Sequence, residues 1–296
     1  MTRIIHLSDI HFGRADPRAV EALETWCKAS PADLVVVSGD LTQRARRSQF
    51  LEAMEFLKRI NHPWLIVPGN HDIPLDSPIE RFFAPTKRFR AFAEPNLMPT
   101  WHDDHVTIVG INTARAITRR PRIFTEGAVS KHQLHHMAHA FDLNNRPIRI
   151  VVQHHPPVLS SREYHTAVAR HVGWRRAIRS YAAMRVDLVL YGHLHLHQVE
   201  ESHAHLIDAG RRMLCVMAGT AISTRVRDEP NSFNRITIEG ERCTIESISL
   251  EADGFLCKVV KKYERTNDGW STIKEGDAAT AICETPSDVQ ARLHEN

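Results

Sequence analysis

The feature that most constrains the fold is a series of short apolar runs, rich in β-branched residues, that alternate with segments of helical periodicity. Continuously apolar runs of this length are typical of strands buried on both faces of a sheet. Asp16-Pro17 supplies an N-cap and a proline at the first helical position, which predicts a helix near 17–29, and a second helix is predicted near 46–60. The alternation therefore predicts an α/β fold with strands at Ile4–Leu7, Asp33–Val37, Trp64–Val67, Val106–Ile111, Ile148–Val152 and Val186–Leu190.

The later part of the chain has a different pattern, which predicts antiparallel strands from about residue 205. These strands are Met213–Met217, Asn234–Ile238, Thr244–Leu250 and Phe255–Val260. Residues 73–100 contain five prolines and a predicted helix near 79–93, a pattern typical of an insertion that would either cap a site or be a packed excursion. We therefore predict a main domain over 1–250, including the insertion 73–100, and a C-terminal strand extension with a polar tail over 251–296.

The composition is that of an ordinary globular chain and excludes only a few classes of protein. Of the 296 residues, 42% are hydrophobic and 25% are charged, which excludes general disorder and a bundle of membrane helices. Lys and Arg number 38 against 35 Asp and Glu, and the net charge of +3 is too small to indicate nucleic acid, which we expect not to be a partner. Twenty histidines are unusual, and histidine is the commonest metal ligand, so their positions must decide whether they bind metal.

The cysteines and the N-terminal residues indicate the compartment. The five cysteines are odd in number, widely spaced and without a C-x-x-C pair, which argues against a disulfide framework and against a cysteine zinc site. The first apolar stretch is short and broken by His6 and Asp9, so it does not resemble a signal peptide. No run approaches the roughly 18 apolar residues of a transmembrane segment. We therefore expect a cytoplasmic protein.

Polar residues that can bind metal ions follow five of the predicted strands. Because the carboxyl ends of the strands in an open α/β sheet border one crevice, we expect these side chains to lie close together. Each pair alone is a weak signal, but five of them in order, each after a predicted buried strand, predict a metal site. They are Asp9-Ile10-His11, Gly39-Asp40, Gly69-Asn70-His71-Asp72, His154-His155 and Gly192-His193-Leu194-His195.

In these motifs the sequence resembles the calcineurin-like metallophosphoesterases, whose pattern is D-x-H, G-D, G-N-H-[DE], H and G-H-x-H. The match is complete and spans residues 9–195. The resemblance implies an α/β fold of a particular kind, a four-layer α-β-β-α sandwich with mixed sheets, which agrees with the late antiparallel strands. The His-His-Pro-Pro turn at 154–157 and the segment 127–134 are most similar to the branch of class III cyclic-nucleotide phosphodiesterases and glycerophosphodiesterases.

The resemblance also implies two divalent metal ions and a hydrolytic reaction. Mixed nitrogen and oxygen ligands favour Mn, Fe, Zn or Co. Two such ions about 3.5–4 Å apart clamp a phosphoryl group and lower the pKa of bound water, so the implied reaction is phosphodiester hydrolysis by metal-activated hydroxide. The implied ligands are Asp9, His11, Asp40 and His195 for one ion, and Asp40, Asn70, His154 and His193 for the other.

Two further residues of the motifs are candidates for catalysis. His71 is not a ligand in the family, and it would point at the phosphate or the leaving oxygen, with Asp72 orienting its ring. The alternative is that His71 only holds the metal ligands in position and does not contact the substrate. His154 is the ligand implied by the resemblance, with the adjacent His155 as the alternative, and we expect His197 to lie at the rim.

Arginines near the predicted site are candidates for substrate binding. Arg44 follows Asp40 closely, and Arg225 and Arg227 follow the strand at Met213–Met217, so each could fork onto a phosphate. A salt-bridged loop is the alternative for Arg225 and Arg227. Arg44 and Arg88 could also contribute to a positive rim that attracts anionic diesters.

Several functions compete with the phosphodiesterase interpretation, in which the partner is a small phosphodiester. A pyrophosphatase acting on a UDP-diacylglucosamine-type substrate would use the phenylalanines of 82–92 to hold acyl chains. A DNA repair-type nuclease would need a further DNA-binding domain and stacking aromatics, and FWY residues are only 7% of the chain. A non-catalytic scaffold would have lost ligands, whereas all seven are present. The oligomeric state is left open by the sequence. The strands of 244–262 could pair across a homodimer, and they could equally form an exposed edge in a monomer.

Overall fold

Two β-sheets lie face to face in the computed structural model, and helices cover their outer faces. The structure describes residues 1–117, 126–157, 172–195, 198–201, 211–225 and 229–273. The predicted four-layer α-β-β-α sandwich with mixed sheets is confirmed. The helices are α1 Pro17–Ala29, α2 Arg47–Ile60, α3 Pro78–Phe83, α4 Lys87–Phe92, α5 Lys131–Leu143 and α6 Trp174–Ala183, with a 3₁₀ turn at Asn70–Asp72.

The first sheet combines the first three strands of the chain with the last four. Its order is β13-β12-β11-β10-β1-β2-β3, parallel among β1, β2 and β3 and antiparallel elsewhere. The strands are β1 Thr2–Leu7, β2 Leu34–Val37, β3 Trp64–Ile66, β10 Ser232–Glu239, β11 Arg242–Glu251, β12 Gly254–Thr266 and β13 Gly269–Thr272.

The second sheet has the order β4-β5-β6-β7-β9-β8, with four parallel strands at its centre and an antiparallel strand at each edge. In both sheets, the parallel strands bring their carboxyl ends to the same edge. The strands are β4 Thr100–His102, β5 Val106–Gly110, β6 Ile148–Val152, β7 Leu188–Tyr191, β8 Gln198–Glu201 and β9 Leu214–Met217.

Successive residues of the central strands pack into different layers of the core. In β2, Leu34 and Val36 lie between the two sheets, whereas Val35 and Val37 pack under α1 and α2. Because side chains alternate across a sheet, a strand covered on both faces must be apolar at every position. The continuously apolar runs in the sequence have this origin.

The insertion differs from its prediction in one respect. The single helix expected near 79–93 is two short helices, Pro78–Phe83 and Lys87–Phe92, with a turn between them. Pro85 lies in that turn, and a proline both lacks the N–H that would continue the helix and restricts the preceding residue. Strands β4, β8 and β13 and helix α6 were not anticipated from the sequence.

The C-terminal hairpin of β12 and β13 is part of the first sheet. Its Trp270 is fully buried between the two sheets, beside Tyr263. Strand β12 pairs with β11 from Gly254 to Glu264, and β13 joins its other edge only from Tyr263 onward. The boundary at residue 250 and the pairing of this edge across a homodimer remain predictions.

Histidines and cysteines outside the motifs have separate explanations. The histidines of α5 at 132, 135, 136 and 139 are all exposed and lie on one solvated face of the helix. Cys27, Cys215 and Cys243 are buried free thiols. Among the described residues, no helix is long and apolar enough to cross a membrane.

Candidate metal centre

The seven predicted ligands meet where the two sheets present the carboxyl ends of their parallel strands. Asp9 and His11 follow β1, and His195 follows β7 in the other sheet. The Nε2 atom of His195 lies 3.2 Å from Oδ1 of Asp9 and 3.3 Å from Nε2 of His11. These three side chains, which are all buried, form the first cluster of potential ligands.

The second cluster lies beside the first and draws on three other strand ends. Nε2 of His154, after β6, lies 3.1 Å from Oδ1 of Asn70, 3.4 Å from Oδ2 of Asp40 and 3.3 Å from Nδ1 of His193. Two ligand atoms that each lie about 2.1 Å from one metal ion are themselves roughly 3.0–3.4 Å apart in octahedral or tetrahedral coordination. The spacings around His195 and His154 therefore fit the ligand shell of a metal ion, and the 3.7 Å between Nε2 of His11 and Oδ1 of Asp9 is somewhat longer.

Asp40 lies between the two clusters. Its Oδ2 atom is 3.8 Å from Nε2 of His11 in the first cluster and 3.4 Å from Nε2 of His154 in the second. Its other oxygen, Oδ1, accepts the backbone N–H of His71 at 2.8 Å, which fixes the plane of the carboxylate. A carboxylate held in this way can contact cations on both sides.

The backbone at the ligands is strained. Five of the seven have a positive φ, between 46° and 79°, a conformation that few residues other than glycine adopt. Such conformations cost of order 1–3 kcal/mol each and persist only where the surrounding structure imposes them. Their concentration at one edge of the sheets indicates a site built for binding; the five residues are Asp9, His11, Asp40, His193 and His195.

Two motif glycines allow the loops to approach one another closely. A Cβ atom on Gly69 would collide with the side chain and backbone of Asp40, and one on Gly192 would collide with Ser8 and Asp9. Each glycine thus lets one ligand-bearing loop lie directly against another.

The polar atoms of the two clusters fit metal ions. Oδ1 of Asp9 is buried and has no hydrogen-bond partner among the described residues, although a buried carboxylate oxygen normally has one. Three rings donate their Nδ1–H to backbone carbonyls, so that their Nε2 atoms face the clusters, which is the usual arrangement of metal-binding histidines. These contacts are His11 to Thr42 (3.3 Å), His154 to Ser38 (2.9 Å) and His195 to Arg225 (2.9 Å).

The clusters shift the pKa values of the proposed ligands in both directions. Burial would raise the pKa of Asp9, but the attraction of His195 and His154 outweighs it and lowers the pKa. Burial lowers the pKa of His11 to about 4 and that of His193 to about 3. The pKa of His154 is raised to about 9, because its attraction to Asp40 outweighs burial. The pKa of His195 is also raised, because burial is outweighed by its attraction to Asp9, so a metal ion would displace protons from both His154 and His195.

His71 and Asp72 are placed differently from the expectation. Asp72 does not orient the ring of His71; its carboxylate accepts hydrogen bonds from the backbone N–H groups of Leu41, Thr42 and Gly69. Burial and the nearby charge of Asp40 raise the pKa of Asp72 to about 7. The ring of His71 is instead held by the carbonyl of Gln43, 2.9 Å from Nδ1.

The two adjacent histidines after β6 have different surroundings. His154 points into the second cluster, whereas Nδ1 of His155 lies 2.7 Å from the hydroxyl of Thr113. The ring of His155 packs 4.7 Å from that of His193 and could contribute a nitrogen beside His154 and His193. The contact with Asp40 favours His154 as the ligand, and His197 lies outside the described residues.

Of the predicted substrate arginines, one has a described contact with a motif residue of the site. Arg44 is exposed next to Gln43, and Nη1 of Arg225 lies 2.9 Å from Nε2 of His71. Arg227 lies outside the described residues. Arg88 does not join a positive rim, because it forms ion pairs with Asp76 and Glu80.

The contacts that the sequence did not reveal come mainly from the backbone. The carbonyls of Ser38, Thr42, Gln43 and Arg225 orient histidine rings, and any residue type has such a carbonyl. Their only signal was proximity, because three of them lie within three residues of Asp40. The hydroxyl of Thr220, which donates to the carbonyl of Asp9 at 2.6 Å, had no sequence signal.

Comparison with known proteins gives the family. No curated protein sequence is a significant match to this chain. Purple acid phosphatase PPD1 from yellow lupin (Lupinus luteus) seeds has a similar structure, with a TM-score of 0.67 and 12% identity over 93% of this chain. The match covers 57% of the length of the lupin protein. A dimetal phosphatase from Danio rerio has a TM-score of 0.59 and 12% identity, over 92% of this chain and 98% of its own.

A third similar structure is GAP50, the anchor in the inner membrane complex of Plasmodium, with a TM-score of 0.50 and 13% identity over 99% of this chain and 93% of its own. At these identities the three structures show a shared fold. The sequence profile of the calcineurin-like phosphoesterases matches residues 2–197, about two thirds of the chain. The chain therefore belongs to the calcineurin-like phosphoesterase family.

Proposed function

We propose that the protein is a dinuclear metal-dependent phosphodiesterase. The observation that supports this best is the position of Asp40, whose Oδ2 atom is within 3.8 Å of a histidine nitrogen in each cluster. A carboxylate between two sets of ligands is what a pair of ions about 3.5–4 Å apart requires. The mixed nitrogen and oxygen donors favour Mn, Fe, Zn or Co.

The chain's own residues would divide the work at this site. The proposed ligands are Asp9, His11, Asp40 and His195 for one ion, and Asp40, Asn70, His154 and His193 for the other. When bound, the ions would supply Lewis acidity toward the phosphoryl oxygens and lower the pKa of water. His71 would act beside the phosphate, with its ring held by Gln43. Asp72 would keep the loops that carry Asp40 and Asn70 together.

The substrate we propose is a small phosphodiester anion. Arg225 is exposed beside His71 and Arg44 is exposed four residues after Asp40; both would attract such an anion, and Arg227 is proposed as a third cationic contact. The His-His-Pro-Pro turn at 154–157, typical of the cyclic-nucleotide and glycerophosphodiester branch, favours a diester over a monoester.

A second candidate is hydrolysis of a pyrophosphate that carries a lipid, as in UDP-diacylglucosamine-type substrates. The observation that favours it is an apolar face on α3, where Ile79, Phe82 and Phe83 are 76%, 59% and 79% exposed. Exposed apolar patches of this kind mark surfaces that bind apolar groups. The helix is fixed next to the G-N-H-D motif, because Arg81 donates to the carbonyls of Ile73 and Pro74, which follow that motif.

Two chromogenic esters test the proposal. The metal-loaded protein is expected to hydrolyse bis(p-nitrophenyl) phosphate faster than p-nitrophenyl phosphate, and a chelator should abolish both activities. Asp40→Asn, which keeps the shape of the side chain, provides the inactive control. Equal or faster hydrolysis of the monoester would contradict the diester preference. Hydrolysis of a UDP-linked lipid with no turnover of either chromogenic ester would favour the second candidate.

A further inference from the structure

The segment after β9, Gly219–Arg225, runs along the loop that carries the first two ligands. Thr220 donates its hydroxyl to the carbonyl of Asp9 at 2.6 Å, and the N–H of Thr224 donates to the carbonyl of Arg14 at 2.9 Å. These contacts fix the segment against the loop that follows β1.

At the end of this segment, Arg225 contacts two residues of the site. Its backbone carbonyl accepts the Nδ1–H of His195, and Nη1 of its guanidinium lies 2.9 Å from Nε2 of His71. The backbone of Arg225 thus supports a proposed metal ligand, while its side chain reaches the histidine of the G-N-H-D motif.

The direction of the hydrogen bonds at His71 follows from the chemistry of its partners. The carbonyl of Gln43 can only accept, so the ring nitrogen 2.9 Å away, Nδ1, must carry the proton. A guanidinium can only donate, so Nε2 must accept from Arg225. The ring also packs edge-on against His11, with 4.8 Å between the ring centroids, beside the first cluster.

We propose that Arg225 is the residue that contacts the phosphate at the open side of the metal centre, and that His71 is the positioning residue that aims its guanidinium. A guanidinium has five N–H donors, and the contact with His71 uses one of them. The others can form the paired hydrogen bonds that arginine makes with phosphate oxygens. This inference rests on the proposed function, and it names the group that recognises the phosphate anion.

The experiment measures the binding of inorganic phosphate to the manganese-loaded protein by isothermal titration calorimetry. Arg225→Ala is expected to weaken phosphate binding roughly 10- to 100-fold, the effect of losing hydrogen bonds to a charged group. Its bound manganese should stay at the wild-type level, because the contact with His195 comes from the backbone. Arg225→Lys, which keeps the charge but loses the fork, should lie between Arg225→Ala and the wild type.

The contribution of His71 is tested in the same assay. His71→Ala should weaken phosphate binding, His71→Gln should retain more of it because its amide oxygen still accepts from Arg225, and the double variant with Arg225→Ala should bind no more weakly than Arg225→Ala alone. Arg14→Ala, which removes the same charge from an exposed position beside the segment, is the matched control. It should bind phosphate like the wild type.

Three results would overturn the inference. The first is an Arg225→Ala variant that binds phosphate as Arg14→Ala does, and the second is a double variant in which the two losses multiply. The third is loss of manganese from Arg225→Ala, which would make its role purely structural. Phosphate binding is measured without turnover, so a wild-type protein that hydrolyses no diester would refute the proposed function and leave this test intact.

Discussion

Strand β7 carries a buried polar cluster at each end, and the two clusters differ in nearly every respect except burial. His193 and His195 follow the strand and contact Asp9, the first through its backbone N–H and the second through its ring, whereas Asp187 precedes the strand. Asp9 and Asp187 are both fully buried. All polar atoms of the Asp187 carboxylate are used: it accepts hydrogen bonds from Arg211, Arg265, Trp270 and the backbone N–H of Arg149.

Asp9, in contrast, has one oxygen without a hydrogen-bond partner among the described residues and a backbone at φ 51°. Asp187 does not have a positive φ. A buried carboxylate with satisfied oxygens and relaxed backbone ties the hairpin of β12 and β13 to the second sheet. A buried carboxylate with an unused oxygen and strained backbone is prepared for a ligand. The comparison teaches that two properties distinguish a structural cluster from a binding cluster better than burial or charge do. They are whether the carboxylate oxygens have hydrogen-bond partners and whether the backbone is strained.

The largest expected effect is on catalysis, from the variant Asp9→Asn. The amide has the same shape but no charge, so the first ion would lose a ligand. Activity should fall by more than the about 10- to 100-fold that loss of an outer-shell partner costs. Elemental analysis should show less bound metal, while circular dichroism shows a folded protein. Full metal content with wild-type turnover would remove Asp9 from the site.

The next effect is on stability, from Asp187→Ala. Arg211 and Arg265 would be left largely buried without their carboxylate, and removing one partner of a buried ion pair costs about 3–5 kcal/mol. Denaturant unfolding should show this loss in the free energy of unfolding. The folded fraction should bind metal as the wild type does. A variant that loses metal with unchanged stability would show that Asp187 belongs to the binding cluster.

Removal of the metal should affect the binding cluster and leave the structural cluster intact. Ions that bind only the folded protein stabilise it by about 2.7 kcal/mol when their free concentration is 100 times the dissociation constant. A chelator should therefore lower the melting temperature of the wild type. The same treatment should leave that of Asp9→Asn nearly unchanged, and an equal shift in both proteins would contradict the assignment.

The pH dependence of metal binding comes from His154. Its pKa of about 9 in the absence of metal means that the ring holds a proton below pH 9, which a metal ion must displace. The apparent affinity should thus fall as pH falls below about 9 and level off above it, and the raised pKa of His195 adds to this fall. Calorimetry in buffers of different ionisation enthalpy should detect protons released on metal binding at pH 7. A pH-independent affinity between pH 6 and pH 8 would be inconsistent with this.

The smallest effect is expected for Tyr181→Phe, beneath the second cluster. The Tyr181 hydroxyl donates to Gln153, whose side-chain N–H donates to the carbonyl of His155, each at 2.6 Å. Loss of the hydroxyl should lower the free energy of unfolding by about 1 kcal/mol and leave metal binding unchanged. A large loss of metal would show that this chain of contacts belongs to the binding cluster.

The pattern of apolar runs was sufficient to predict an α/β fold and the gathering of the ligands, and the resemblance to the family implied the four layers. Strands buried on both faces must be apolar throughout, so residues such as Asp9 and Asp40 stand out at their ends. The carboxyl ends of parallel strands meet, and hence residues as distant as His11 and His195 could be expected to lie together.

Other features depend on tertiary contacts that leave little trace in the sequence. The carbonyl of Gln43 orients His71, a role that the side chain at position 43 does not indicate. Asp187 precedes a strand, where a polar residue is ordinary, and its partners Arg265 and Trp270 are about 80 residues away. The break in the helix expected near 79–93 could have been found from Pro85 alone, because proline interrupts helices by a local mechanism.

The most direct test of the account is anomalous diffraction from crystals grown with manganese. We predict two manganese peaks about 3.5–4 Å apart on either side of Asp40, one beside His11 and His195 and the other beside His154 and His193. Crystals of Asp40→Asn should lose at least one of the two peaks. A single ion that does not contact Asp40, in crystals of a protein that still hydrolyses the diester, would contradict the dinuclear centre.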